Sequence, residues 1–347
     1  MCGLYARGCA RLARPSPLPA REDSTVTVTP LARPHPGPAV PTVSTRHVTH
    51  RPATPEEFLL GTVVPGDCRF TLSDELPRAE LPFEDGGRWT HDLHYVTEAM
   101  HSVARLAATR YLRVPARRPL KVARATVNLD TTVASRRVGQ SGHATTDLRL
   151  RRTVSQAGVT GLDCDATVFM QGVRYATGTL SVELPGQPDG GAPAAVHDRP
   201  RPPVRTGLRP RPAQVGRFDQ SNVVLSDPRF GPDSQLTADF LPDPDNPVFD
   251  PALNERACPM LLVEATRQAA VLAACELRGF TPAYCLTVRW SGQFPPGIGR
   301  GAPLSCRTVP GPVFRDSLGR PAVDFEITLL SGPTPTGTIG TTLVLDC

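Results

Sequence analysis

Apolar and polar residues alternate along several stretches of the chain, and two longer segments are apolar on nearly every side. The two longer segments predict helices, one over residues 93–113 and one over residues 259–278 that Gly279 ends. The alternating stretches are rich in Val, Thr, Ile and Leu and contain Gly, which predicts antiparallel strands joined by turns. They include LKVARATVNLD (120–130), TVFMQGVRYATGTLSVEL (167–184) and DFEITLLSGPTPTGTIGTTLVLD (324–346).

One pattern, a strand followed by a loop, a helix and further strands, occurs twice. Residues 81–108 align with residues 247–274 without a gap, at an offset of 166 residues. Glu98 then meets Glu264, and each of these glutamates follows a phenylalanine by 15 residues. The repeated spacing predicts a duplicated domain.

The apolar helices determine the predicted fold. A helix that is apolar on nearly every side must be surrounded, and a curved antiparallel sheet of five or six strands can surround it. We therefore predict an α+β tandem double hot-dog, in which each copy has a central helix wrapped by a curved antiparallel sheet. The two sheets are expected to join edge to edge, which would make the chain a monomeric pseudo-dimer.

Two segments dense in Pro and Arg lack hydrophobic periodicity and mark the domain boundaries. We predict a disordered tail (1–45), a divergent N-terminal hot-dog domain (46–186), a linker (187–213) and a C-terminal hot-dog domain with the main site (214–347).

The net charge of +5 is concentrated in these two segments. Residues 1–51 hold seven Arg against two acidic residues, and residues 187–217 hold six Arg against two, which leaves the remaining body at −4. A nucleic-acid-binding domain usually carries its basic surface on the folded body, so we expect no nucleic-acid partner.

Other sequence features predict a cytoplasmic protein. There is no run of 18 apolar residues and no uninterrupted apolar segment of a secretory signal at the N-terminus, so no membrane partner is expected. The nine cysteines include no CxxC spacing, which favours reduced thiols over zinc or redox pairs. We expect no metal and no other cofactor.

The second predicted helix carries three polar residues, Glu264, Arg267 and Gln268, at positions i, i+3 and i+4 on one face. One interpretation is a salt bridge that pins the helix to its surroundings. The other is catalysis. Glu264, with a pKa raised by burial, would accept a proton from an attacking hydroxyl. Arg267 would orient Glu264 or bind a phosphate, and Gln268 would hold an acyl carbonyl.

Three further residues of the second copy are candidates. The helix N-terminus near Pro259 and Met260 offers backbone N–H groups for a thioester oxygen that becomes negatively charged. Asp250 lies fourteen residues before Glu264 and is either catalytic or a loop cap.

In the first copy, Glu98 and His101 occupy the positions of Glu264 and Arg267 and form a secondary or degenerate site. With His91 and His94 they recur at helical spacing and could ligate a metal, but no second ExxH completes the set. All eight histidines lie at or before His197, so a histidine-dependent site in the second copy would have to borrow one from the first.

Several motifs resemble the A-factor biosynthesis (AfsA-type) family over residues 47–347. They are THRPATPEEFLLG (49–61), YVTEAMH and ATRYLRVP (within 95–115), FDQSNVVLSD (218–227), and FDP with CPMLLVEATRQAA (within 249–270). The resemblance implies a hot-dog enzyme of γ-butyrolactone signal synthesis. Such an enzyme would move a β-ketoacyl group from acyl carrier protein or CoA to a hydroxyl of dihydroxyacetone phosphate or a similar small phosphorylated acceptor.

The chain departs from the family pattern at two places. Residues 255–260, ERACPM, stand where the family has DHVPGM, and the first copy lacks the arginine and glutamine of its E-x-x-R-Q motif. Two alternatives therefore stay open: a hot-dog thioesterase or dehydratase-like enzyme, and a non-catalytic duplicate that binds acyl groups or scaffolds a biosynthetic assembly.

Overall fold

A computed structural model describes the part of the chain that carries the helices and strands. The described residues are 42–47, 57–64, 67–76, 93–106, 108–109, 114, 120–130, 142–155, 158–170, 172–184, 207–243, 246, 257–294 and 303–346. All of them lie in one compact unit, Val40–Cys347.

Apart from the additional first strand, the described elements follow the same order in the first half (residues 42–184) and in the second half (residues 207–346). The first half contains β1 (Thr42–His47), β2 (Glu57–Val64), β3 (Asp67–Leu76), α1 (Leu93–Leu106), β4 (Lys121–Leu129), β5 (Gly142–Ser155), β6 (Gly158–Met170) and β7 (Val173–Glu183). The second half contains β8 (Leu225–Phe230), β9 (Leu236–Phe240), α2 (Ala257–Arg278), β10 (Cys285–Gln293), β11 (Leu304–Arg315), β12 (Pro321–Ser331) and β13 (Thr334–Leu345).

The thirteen described strands form one antiparallel sheet in the order β1-β2-β3-β5-β6-β7-β4-β10-β13-β12-β11-β9-β8. The halves meet where β4 pairs with β10, in a register that places Arg124 opposite Gln293 and Asn128 opposite Arg289. We call this pairing the seam. Antiparallel strands around one helix in each half confirm the predicted α+β hot-dog class.

Helix α2 is deeply buried, and small residues cover much of its surface. From Met260 to Ala274 all residues except Leu261 are buried, and alanines let the sheet approach closely. Trp290 of β10 donates its indole N–H to Thr266 Oγ1 of α2 (3.0 Å), which ties the helix to the seam. Helix α2 ends at Arg278, directly before Gly279, as predicted.

Helix α1 packs against β7 at a glycine. A Cβ atom at Gly178 would lie 2.8 Å from Sδ of Met100, so the helix can approach only because this position has no side chain. Helix α1 ends at Leu106, before the predicted end at residue 113. The bond from Val114 N–H to Ala108 O (2.9 Å) spans six residues, which an α-helix does not do.

Two described segments overlap the predicted tail and the predicted linker. Strand β1 begins at Thr42, inside the predicted tail, because the β-branched stretch TVSTRH pairs with β2. Residues 207–213 of the predicted linker pack against the second half: Asp227 Oδ1 accepts from the Leu208 N–H (3.0 Å), and Arg209 forms an ion pair with Asp243 (3.7 Å). We call residues 207–224 the strap.

Among the described helices, none has the length and apolar character needed to cross a membrane.

Candidate active site

Glu264 lies in the N-terminal half of α2 with a fully buried side chain. Its neighbours on the helix both donate to it. Arg267 donates through Nε to Oε2 (2.9 Å) and through Nη2 to Oε1 (2.8 Å), and Gln268 donates through Nε2 to Oε1 (2.5 Å). The three residues therefore converge as their i, i+3 and i+4 spacing predicts.

A second arginine reaches Glu264 from the strap. Arg217 follows a short turn (Pro212–Val215) and Gly216, whose φ of 64° bends the chain in a way that favours glycine. Its side chain is buried and donates through Nε to Oε1 (2.7 Å) and through Nη2 to Oε2 (2.5 Å) of Glu264. Each of the two guanidinium groups thus forms a bidentate ion pair with the same carboxylate.

The sixth bond to Glu264 comes from the other half of the protein. His94, on the first turn of α1, lies with Nε2 2.7 Å from Oε2 of Glu264 and is 3% exposed. The cluster therefore joins α1, the strap and α2 at one buried point. We call His94, Arg217, Glu264, Arg267 and Gln268 the Glu264 cluster.

The pKa of Glu264 is shifted opposite to the prediction. Burial raises the pKa, but the charges of Arg217 and Arg267 and the hydrogen bonds from Arg267 and His94 outweigh burial and hold it well below 4.5. The expectation of a raised pKa was wrong because it considered burial without the second arginine. An ionised carboxylate that accepts six hydrogen bonds is a weak base.

The polar face of α2 also holds the backbone of the strap. Arg267 Nη2 donates to the carbonyl of Val215 (3.0 Å). Gln268 accepts from the N–H of Val224 (3.0 Å) and donates to the carbonyl of Asn222 (2.6 Å). Because both amide hydrogens of Gln268 are engaged, by Asn222 and by Glu264, the arrangement does not support the predicted role of holding an acyl carbonyl.

The other predicted residues lie elsewhere. Met260 is buried in the first turn of α2, which begins at Ala257, and Pro259 lies in that turn with a side chain outside the described residues. Asp250 and the side chain of Glu98 are likewise outside the described residues. His101 is buried on α1, two helical turns beyond His94.

Sequence reasoning missed Arg217 and gave His94 a different role. Arg217 was counted only in the charge of residues 187–217, although it directly precedes the FDQSNVVLSD motif and an apolar strand. Its position directly before this motif could have marked Arg217 as a candidate site residue. His94 was considered for a metal, whereas the structure brings it to Glu264. Within the described residues, no three His, Cys, Asp or Glu side chains lie together as a metal site would require.

A groove of about 600 Å³ lies at the seam, away from these residues. It is lined by Ala123, Arg124, Ser181, Gln293, Phe294 and Thr336–Thr338, none of which belongs to the Glu264 cluster.

Comparisons with solved structures find hot-dog proteins of low similarity. A hot-dog protein of unknown function from Alicyclobacillus acidocaldarius is 15% identical, with 79% of this chain and 92% of that chain covered and a TM-score of 0.42. The 12:0-ACP thioesterase from Umbellularia californica is 13% identical (79% and 93% covered, TM-score 0.40). The dehydratase domain of RzxB from Pseudomonas fluorescens is also 13% identical (79% and 94% covered, TM-score 0.40). With TM-scores below 0.5, these likenesses carry no functional inference.

Comparisons of sequence give one match. No curated protein matches the chain significantly. The family model described as "A-factor biosynthesis hotdog domain" matches residues 203–286, which contain the strap and the whole of α2. The predicted resemblance is confirmed there: residues 203–286 of this chain match the model of the A-factor biosynthesis hotdog domain.

Proposed function

We propose that the chain is an acyltransferase of γ-butyrolactone or butenolide signal synthesis. It would move a β-ketoacyl group from acyl carrier protein, or from CoA, to a hydroxyl of dihydroxyacetone phosphate or a similar small phosphorylated acceptor. One observation carries the proposal: the segment that matches the family contains Arg217, Glu264, Arg267 and Gln268, which form one buried ionic cluster.

The proposed reaction needs no co-reactant beyond the two substrates. The acceptor oxygen attacks the thioester carbonyl carbon, a C–O bond forms, the C–S bond breaks, and the hydroxyl proton ends on the sulfur of the leaving thiol. Arg217 and Arg267 place two cations beside one anion, so the cluster has an excess of positive charge. Such an excess favours an anionic acceptor and stabilises negative charge that develops on the acyl oxygen.

We also propose that the halves are the two domains of a tandem double hot-dog, related by duplication. The strand order of the first half, β2-β3-β5-β6-β7-β4, corresponds to β8-β9-β11-β12-β13-β10 in the second. At the seam, Arg124 lies opposite Gln293, and Arg289 lies opposite Asn128, so each half contributes an arginine and an amide in exchanged positions. This register supports a two-fold relation between the halves.

The test is incubation of the purified protein with a β-ketoacyl carrier protein and dihydroxyacetone phosphate, followed by mass spectrometry. A parallel reaction with the β-ketoacyl-CoA identifies the donor. Ester formation that requires the protein supports the proposal. Release of free acid in place of ester would favour a hot-dog thioesterase and overturn the transfer step.

A non-catalytic acyl-binding or scaffolding protein is the second candidate. The observation that favours it is the deep burial of Glu264, whose side chain has no exposed surface. This alternative predicts that the acyl thioester binds, as measured by a shift in melting temperature, and remains chemically unchanged after long incubation.

A further inference from the structure

The proton acceptor of the proposed transfer lies in the half that does not carry the family motif. We propose that His94 of α1 is the general base, and that Glu264 of α2 acts as a positioning residue for its imidazole. The inference rests on the proposed function for the reaction and on the 2.7 Å contact between Nε2 and Oε2 for the geometry.

Glu264 is poorly suited to be the base itself. The charged groups that face its carboxylate are Arg217 from the strap, Arg267 from α2 itself, and His94 from α1 when protonated. Protonating the carboxylate would place a neutral acid between two buried guanidinium groups and remove the anion that compensates them. A carboxylate held in this way remains ionised and accepts hydrogen bonds throughout the reaction.

The ionised carboxylate determines the tautomer of His94. Because it can only accept, Nε2 of the imidazole must carry the hydrogen of the 2.7 Å bond. In the neutral ring Nδ1 is then the basic nitrogen. A carboxylate that orients an imidazole, which in turn accepts a proton from a hydroxyl, is the arrangement that activates nucleophiles in serine hydrolases.

In the proposed reaction His94 takes up one proton and releases it again. The proton of the acceptor hydroxyl passes to Nδ1 as the C–O bond forms at the thioester carbon. It passes from Nδ1 to the leaving sulfur as the C–S bond breaks, which returns the imidazole to its neutral form.

This assignment explains why only one copy keeps the complete E-x-x-R-Q motif. At the offset of 166 residues, His94 corresponds to Met260 in the second copy. The second copy therefore supplies the glutamate and arginine but no histidine at this place, and the first copy supplies the histidine. The two copies have specialised to build one site.

The experiment is the kinetics of His94→Gln. A glutamine amide nitrogen can still donate to Glu264, but it cannot accept the proton, so the change removes the base and keeps the anchoring bond. We expect kcat to fall about 10²- to 10⁴-fold, with little change in KM for the thioester.

The matched control is Thr97→Val, which alters a buried polar side chain one turn further along α1. Its Oγ1 donates to the carbonyl of Leu93 (3.1 Å), and it belongs to neither the Glu264 cluster nor the strap. Activity near the wild-type level is expected in Thr97→Val. Melting temperatures of both variants distinguish loss of chemistry from loss of fold.

The remaining outcomes test the role of His94 and the proposed transfer function separately. If the wild-type protein releases free acid and the His94→Gln variant does not, the role of His94 as base stands and the transfer function is overturned. Undiminished kcat in folded His94→Gln overturns the role of His94 and leaves the transfer function intact. Nitrogen NMR of ¹⁵N-histidine-labelled protein tests the geometry without activity: the Nε2–H tautomer at His94 is expected, and a neutral Nδ1–H tautomer overturns the inference.

Discussion

Replacing Glu264 by glutamine removes the one anion of the buried cluster and leaves Arg217 and Arg267 facing each other. Both guanidinium groups are buried, so water cannot compensate their charges. Removing one partner of a buried ion pair costs about 3–5 kcal/mol, and here two cations lose the same partner. We expect the free energy of unfolding to fall by about 5 kcal/mol, a large part of the roughly 5–15 kcal/mol available to a folded protein.

The assay is urea denaturation of wild type and Glu264→Gln, followed by circular dichroism. Asp165→Asn is the matched control, because Asp165 pairs with Arg151 at 2.9 Å while both side chains remain more than 40% exposed. Its loss should be below about 1 kcal/mol. If Glu264→Gln costs no more than this control, the carboxylate does not compensate buried charge and the proposed electrostatics are wrong.

The change of the free energy of unfolding with pH provides a second test of the role of Glu264. The pKa of Glu264 in the folded protein lies well below 4.5, so the unfolded chain binds the proton more readily. The contribution of Glu264 is thus fully present above about pH 4.5 and is lost as the pH falls towards its folded pKa. The difference in stability between wild type and Glu264→Gln should be constant near neutral pH and shrink below pH 4.5.

Three further predictions concern single side chains. Gln268→Ala removes the bonds to Asn222 and Val224, so amide exchange of residues 222–224 should accelerate at least about fivefold in hydrogen–deuterium exchange; unchanged exchange would show that this end of the strap is held without Gln268. Gly178→Val forces a side chain against Met100 and should lower the unfolding free energy by about 1–3 kcal/mol in urea denaturation, with partial recovery when Met100→Ala is added. Burial raises the pKa of the Cys306 thiol to about 12, so peptide mapping after alkylation at pH 8 should find it unmodified in the native protein and modified in urea.

Much of the architecture follows from local sequence patterns. The helix that ends before Gly279 and the strands that alternate around Gly are set by periodicity and turn chemistry, which neighbouring residues determine. The convergence of Glu264, Arg267 and Gln268 was likewise predictable, because helical geometry alone places them on one face.

The partners of Glu264 could not be predicted in the same way. Arg217 is 47 residues away and His94 is 170 residues away, so their contacts depend on how the strap and α1 pack. The sign of the pKa shift depends on those partners, because burial alone would raise the pKa of a carboxyl and two adjacent guanidinium groups lower it. Composition placed Arg217 in a basic stretch (residues 187–217), although its side chain is among the most buried of the described residues.

The seam between β4 and β10 makes each half depend on the other. A first half expressed alone would expose the edge of β4 and hold His94 without its carboxylate, and a second half would expose β10 and hold the carboxylate without its histidine. The unpaired backbone N–H and C=O groups of an exposed edge strand can pair with a strand of another chain. Chains separated between residues 184 and 207 should therefore be inactive singly and regain activity when mixed, so the site can serve as a reporter for reassembly of a split protein.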